Sequence, residues 1–168
     1  FMKIAIIGYS GSGKSTLAKK LSEIYNCPLL YLDTIQFKAN WTVRDLDEGC
    51  LMVEKFLKND SWVIDGNYKK FFQEKRLEEA DKIIFMNFPR RICFPQAFKR
   101  YLHYKNKTRE SMADGCNEKF DLEFIKWLLF EGRKKSIKNH YNEICKCYKD
   151  KITIFRNNKD VENFLASL

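Results

Sequence analysis

The segment from Gly8 to Ser15, GYSGSGKS, constrains this chain more than any other. It follows the apolar run Ile4 to Ile7 and opens a pattern in which Leu17, Leu21 and Ile24 recur at the spacing of one helix face. It fits G-x-x-x-x-G-K-[ST], a phosphate-binding loop between a strand and a helix. Consecutive backbone N–H groups must turn inward around a phosphate chain, so small or absent side chains are needed at Gly8, Gly11 and Gly13. The helix that follows points its positive end at the same anion. The expected nucleotide-binding set is Gly8, Tyr9, Ser10, Gly11, Ser12, Gly13, Lys14, Ser15 and Thr16. Lys14 reaches the outer phosphates as a point charge, and the Ser15 hydroxyl suits a place in a Mg2+ shell.

A chain of 168 residues, 45% apolar, is long enough for one compact α/β domain with a proper core, expected to span residues 2–168. Met2 reads as the initiator, and Phe1 is left outside the fold. Neither a secretory pattern nor an apolar run of membrane-spanning length is present, so a cytoplasmic protein is expected. The cysteines Cys27, Cys50, Cys93, Cys116, Cys145 and Cys147 lack C-x-x-C pairing, which favours reduced thiols over a disulfide framework or metal site. His103 and His140 have no neighbouring ligand pattern and read as surface or packing residues. A net charge of +9 points to anionic partners, with 15 basic against 7 acidic residues between Arg90 and Lys149. A solvated helical face explains many of these lysines equally well.

In chain order, Lys3 to Ile7 is the first strand, a branched-apolar run of the kind covered on both faces. After Asn26 and Pro28, Leu29 to Leu32 form a second strand ending in Asp33, where a carboxylate faces the ligand crevice of a parallel sheet or caps a turn. Thr34 to Trp41 reads as a loop with exposed Phe37 and Trp41, and Thr42 with Asp45 as a capping box for the next helix. Residues 34–60 are where an acceptor-binding arm would lie, with Phe37, Trp41 and Arg44 as candidate contacts. Packing is the alternative for either aromatic.

SWVIDGNY, residues 61–68, is the second informative stretch. A strand of Trp62, Val63 and Ile64 ends in Asp65, and Gly66 permits a tight turn close to ligand, with Asn67 beside it. Asp65 is expected to hold the metal with Ser15 or to orient an acceptor hydroxyl, with turn chemistry as the alternative. A helix over 69–79, a fourth strand from Ile83 to Phe88 and a helix from Pro89 to about Tyr104 follow. Residues 105–121, which carry Arg109, show little apolar periodicity and read as a mobile lid, flanked by Arg100 and Arg133. A long helix is expected from Leu122, a fifth strand at 151–155 and a terminal helix at 160–168. Alternating strands and helices imply a parallel sheet with helices on both faces.

With these landmarks placed, the chain resembles the small P-loop kinases of the adenylate and shikimate kinase type, and most of all their branch called DNA topology modulation proteins. The residues that carry the likeness are GYSGSGKSTLAKKL, YLD at 31–33, WVIDGNY at 62–68 and GCNEKFDLEFIKWL from Gly115. The resemblance implies a P-loop NTPase three-layer fold with sheet order 2-3-1-4-5, and lid arginines, Arg100, Arg133 and Arg109, that close on the phosphates. It implies ATP and Mg2+ as cofactors and catalytic roles for Lys14, Asp33, Asp65 and those arginines. The expected acceptor is a small nucleotide, nucleoside or other hydroxyl-bearing metabolite, bound by Asp33, Phe37, Trp41, Arg44, Asp65, Gly66 and Asn67. The pattern departs from adenylate kinases where Asn67, Tyr68 and Lys69 stand in place of an arginine-bearing segment, and where Asn87 replaces a strand-end acid. Both departures argue against adenylate kinase activity. The alternative is a nucleotide-gated regulator that binds nucleic acid through the basic half, although no helix-turn-helix, zinc or RNA-recognition signature is present. The loop from Arg156 to Lys159 is expected to border the base.

Overall fold

The computed structural model describes residues 1–168. Five parallel strands form its central sheet: β1 (Lys3–Gly8), β2 (Leu29–Tyr31), β5 (Trp62–Asp65), β6 (Lys82–Met86) and β7 (Ile152–Phe155). They lie in the order β2-β5-β1-β6-β7, which is 2-3-1-4-5 when the sheet strands are counted along the chain. Helices cover both faces, as a P-loop α/β fold requires. Ile4 to Ile7 are fully buried at the centre of this sheet, which explains why their sequence is continuously apolar rather than alternating.

Strand register sets where chemistry can happen. Ile6 lies opposite Asp65 on one side of β1, and Gly8 lies opposite Met86 on the other. Tyr31 pairs with Asp65 from the far side of β5. The carboxyl ends of β2, β5 and β1 therefore meet where the phosphate loop leaves the sheet and enters α1 (Lys14–Tyr25). Open α/β sheets bind ligands in this crevice.

Several expected boundaries shift for identifiable reasons. β2 stops at Tyr31, and Leu32–Gln36 coils into a short helix, α2, so Asp33 sits in a first helical turn rather than at a strand end. The stretch expected as a loop instead pairs β3 (Phe37–Lys38) with β4 (Thr42–Val43) as a hairpin around a 3-10 turn, Ala39–Trp41. Thr42 is therefore a strand residue, and Asp45 caps α3 (Leu46–Phe56) by accepting from the Glu48 N–H at 3.1 Å. The helix expected from Lys69 begins only at Gln73 and forms α4 (Gln73–Glu79), because Phe72 before it adopts a left-handed conformation at φ 54°.

After α5 (Arg90–Tyr104), residues 105–121 contain no helix and one antiparallel bridge, Thr108 to Asn117. They dock on the body through Phe120, whose ring contacts those of Phe94, Phe98, Tyr101 and Phe124. The long helix expected from Leu122 is two helices, α6 (Leu122–Leu129) and α7 (Lys135–Cys147), with a 3-10 turn at Glu131–Arg133 between them. Lys134 is extended at ψ 154° and restarts the chain in a new direction. Residues 131–136, EGRKKS, hold no apolar side chain and include Gly132, but Ile137 resumes the stripe in phase, seven residues after Phe130, which masks the break. The chain closes with α8 (Asn158–Ala166), capped by the Asn157 side chain. No helix is long and apolar enough to cross a membrane.

Candidate active site

The phosphate loop is shaped by contacts to its backbone before any ligand enters. Gly11 has φ 80°, and a Cβ there would stand 2.5 Å from the Cys93 carbonyl, so only glycine fits. The Asn67 side chain forms a closed pair with Gly8, accepting from its N–H at 2.9 Å and donating to its carbonyl at 2.8 Å. Gln96 donates to the Gly11 carbonyl at 2.7 Å, and the buried Ser12 hydroxyl donates to the Tyr9 carbonyl at 2.6 Å. From behind, the Arg133 guanidinium lies 3.9 Å from the Tyr9 ring centre. No side chain caps the start of α1. Its first-turn N–H groups face the loop opening without side-chain partners, the arrangement that binds an anion.

Two carboxylates stand across from this loop. The Ser15 hydroxyl donates to Asp65 Oδ2 at 2.7 Å, while Asp65 Oδ1 is buried with no partner. Desolvation pushes the Asp65 carboxyl up from its ordinary range, opposed by the Lys14 ammonium and the Ser15 hydrogen bond. Burial likewise lowers Lys14, opposed chiefly by Asp65, and its ammonium meanwhile donates to the Tyr9 carbonyl at 3.1 Å. A hydroxyl beside a carboxylate with one orphaned oxygen fits Mg2+, which takes hard oxygen ligands and completes its shell with phosphates and water. No group of three His, Cys, Asp or Glu side chains forms a fuller metal cage.

Asp33, on α2, faces the same space. Tyr68 donates its hydroxyl to Asp33 Oδ1 at 2.6 Å. Burial, followed by the Asp33 charge, pushes the Tyr68 hydroxyl far above its ordinary value, so it remains a donor throughout the working pH range.

Lys14, Ser15, Asp33 and Asp65 share one cavity of about 950 Å³, large for a small-molecule site. Arg100 and Arg109 reach it from α5 and the lid. Both guanidinia pair with Glu118, Arg100 through Nε at 2.8 Å and Arg109 through its own Nε. Burial lowers Arg100, reinforced by the Arg109 charge and opposed by Glu118. Beyond Asp33, Phe37 and Trp41 form an edge-to-face pair with centres 5.2 Å apart. At the opposite end lie Phe124, Trp127, Asn158, Val161 and Leu165, with the Trp127 indole donating to the Ser10 hydroxyl at 3.2 Å.

Most sequence-predicted residues meet here: Ser10, Gly11, Ser12, Gly13, Lys14, Ser15, Thr16, Asp33, Phe37, Trp41, Asp65, Gly66, Asn67, Arg100 and Arg109 all line the cavity. Gly8 and Tyr9 instead border a separate space of about 200 Å³ behind the loop. Arg44 and Arg133 line neither cavity. Arg44 donates to the Ile35 and Thr34 carbonyls and pairs with Glu48, tying α2 to α3. Arg133 donates to the Phe88 carbonyl and braces Tyr9, because the helix break turns it inward before it can reach a phosphate. Of the loop after β7, Asn158 lines the cavity, whereas Arg156 and Lys159 do not.

Three residues of consequence carried no assigned role. Tyr68 sits inside WVIDGNY and could have been flagged by its place beside Asp65 and Gly66. Arg76 is fully buried and donates to the Phe71, Gly66 and Tyr68 carbonyls, fixing the loop after β5, and desolvation lowers it to about 10. Glu118 acts across 18 residues on Arg100 and gives no local signal.

Comparison with known proteins agrees with this arrangement. Residues 3–87, half of the chain, match the model of the AAA domain, dynein-related subfamily. An adenylate kinase from Bartonella tribocorum is 26% identical over 118 residues, covering 68% of this chain and 59% of that protein. A shikimate kinase from Flavobacterium johnsoniae is 45% identical over 47 residues, covering 27% of each. The chain thus spans less than two thirds of either curated relative. The crystal structure of an uncharacterized protein from Eubacterium ventriosum ATCC 27560 superimposes with a TM-score of 0.56 at 18% identity, over 99% of this chain and 97% of that one, a likeness of fold. With the loop geometry, the sheet order and the match over residues 3–87 in agreement, the chain belongs to the AAA-type P-loop NTPase domains.

Proposed function

We propose that this protein is an ATP-dependent phosphotransferase acting on the hydroxyl of a small acceptor. The observation that carries the reading is the Ser15–Asp65 pair beside Lys14 with Asp33 across the same cavity, so that phosphate-binding and hydroxyl-binding groups face one space. Loop amides and Lys14 hold the triphosphate. Ser15 and Asp65 would hold Mg2+, whose charge offsets that of the phosphate oxygens. Asp33, fixed by Tyr68, orients the acceptor hydroxyl and accepts its proton as the acceptor oxygen bonds to the terminal phosphorus. The bridging P–O bond breaks and ADP leaves. Arg100 and Arg109 counter charge on the transferring group, a contribution that is typically 10²–10³ in rate for one well-placed donor.

The finer likeness to DNA topology modulation proteins belongs to the same proposal, with any effect on topology exerted through metabolite or nucleotide pools. The test is ATP consumption with Mg2+ across nucleoside monophosphates, nucleosides and hydroxylated metabolites, with Lys14→Ala as control. Acceptor-stimulated turnover that the variant loses supports the reading. Turnover that never exceeds hydrolysis in water would sink it.

A further inference from the structure

The two arginines that line the cavity come from different parts of the chain, and one carboxylate joins them. Arg100 belongs to α5, whereas Arg109 and Glu118 lie on the two limbs of the lid. The limbs meet at the Thr108–Asn117 bridge, and the Glu118 N–H donates to the Lys107 carbonyl at 3.1 Å. In this antiparallel register Glu118 lies opposite Lys107, so Arg109 is its diagonal neighbour, within reach of a long side chain. Contacts on either side place the Glu118 limb. Cys116 is hydrogen-bonded to Lys38 and Trp41 of the arm, and Phe120 packs on Phe94 and Phe124 of the body.

The atoms that Glu118 engages matter more than the charge it carries. Oε1 accepts from Arg100 Nε at 2.8 Å and Oε2 contacts Arg109 Nε, so each oxygen goes to the inner nitrogen of one guanidinium. No protein hydrogen bond occupies the terminal Nη atoms of either arginine. One carboxylate against two guanidinia leaves net positive charge, and a free Nη pair is a fork suited to phosphate oxygens. Glu118 is only 5% exposed, which spares these contacts from competition with water. The guanidinia stand towards the phosphate end of the cavity, where the Arg109 charge acts on Asp65 and the Arg100 charge on Lys14. A side chain already held at Nε has less freedom to lose when it takes a ligand.

We propose that Glu118 is a positioning residue for the phosphotransferase reading, on which this inference rests: it holds Arg100 and Arg109 together with their terminal nitrogens free for the phosphoryl group in transfer. A Glu118 that only neutralised charge would have the opposite signature, because its removal would strengthen phosphate binding. Glu118→Gln separates the two roles. The amide offers one acceptor oxygen, so it keeps one guanidinium and releases the other.

Calorimetry of the full chain with Mg2+ reads the affinity ratio between a non-hydrolysable ATP analogue and ADP, which isolates the terminal phosphate and needs no acceptor. Glu118→Gln lowers that ratio about threefold while moving ADP affinity much less. Arg100→Lys and Arg109→Lys keep the charge but lack the fork, and each lowers the ratio by a similar factor of about three. They leave Glu118 in place and decide the matter if Glu118→Gln does not fold. With both arginines changed to Ala, Glu118→Gln has no further effect on the ratio. A ratio that rises or stays constant in Glu118→Gln, wild-type ratios in both lysine variants, or an undiminished effect in the double-alanine background overturns the proposal. So does a Glu118→Gln variant that loses ADP as fully as the analogue, the mark of a structural role alone. The phosphotransferase reading fails separately, when no acceptor stimulates ATP turnover although the ratio responds as described. Absence of any nucleotide binding by the unaltered protein overturns both.

Discussion

The phosphate loop and the lid with its acceptor arm are held by different kinds of contact. Around the loop the contacts converge on backbone atoms: β1 is paired on both sides, Gly11 lies against the Cys93 carbonyl, and the side chains of Asn67, Gln96 and Ser12 bond to the backbone of Gly8, Gly11 and Tyr9. In the lid and arm, isolated side chains do the joining. The Cys116 thiol accepts from the Trp41 N–H and donates to the Lys38 carbonyl, both at 3.2 Å, and Lys119 lies 4.4 Å from the Trp41 ring centre. The turn they secure holds Asn40 and Trp41 at φ 57° and 62°, strained for a bulky side chain. A loop held at its backbone atoms is preorganised for an anion, whereas a cover held by a few side chains can be released at small cost.

Substitutions can break or sharpen this contrast. The largest effect is expected from Lys14→Ala, which lowers acceptor-stimulated ATP turnover on the order of 10²–10³ without lowering the melting temperature, since the buried ammonium is disfavoured by desolvation. A matching loss of thermal stability would show that Lys14 holds the loop itself. Next, Asn67→Ala leaves two Gly8 backbone groups unpaired and destabilises the fold by about 2 kcal/mol in urea titration, with weaker ATP binding. Cys116→Ser in the lid, by contrast, changes stability by less than about 1 kcal/mol and leaves ATP affinity alone. Equal effects from the two variants would erase the distinction.

A smaller effect is expected from Tyr68→Phe. Loss of the hydrogen bond to Asp33 lowers kcat by about tenfold with the ATP dissociation constant unchanged. A change in ATP affinity instead would tie Asp33 to the nucleotide. The last substitution, Gly115→Ala, acts on the hold between lid and arm. Its Cβ would lie 2.5 Å from Asn40 Oδ1 at a glycine-favouring φ of 78°, so the lid lifts from the arm at a cost of about 1 kcal/mol. Limited proteolysis within residues 105–121 would then accelerate, and unchanged cleavage would mean that the lid is anchored elsewhere.

What was legible in the sequence follows the same divide. The loop, β1 and β5 rest on contiguous residues whose chemistry is complete locally, and GYSGSGKS and WVID announce them, whereas the sheet order followed only from the family resemblance those segments carry. Asp33 was found near the cavity, although the short helix α2 was hidden because five residues cannot display a period. Arg44 looked like an acceptor contact and Arg133 like a phosphate ligand because a guanidinium's sequence says nothing of whether a carbonyl will claim it. Glu118 and Arg76 escaped notice because their significance lies wholly in partners brought by folding.

The placement of the tryptophans has a practical consequence. Trp62 is sealed inside the sheet, whereas Trp41 stands near Asp33 and Trp127 is hydrogen-bonded to Ser10 at the other end of the same cavity. The molecule therefore contains two intrinsic fluorophores, one for each half of the site, above a constant buried background. Replacing Trp127 with Phe would leave emission that follows the acceptor half, and replacing Trp41 would leave emission that follows the half beside Ser10. Stopped-flow traces from the two variants would time the filling of each half separately, so the order in which ligands reach the two halves is written in the protein's own light.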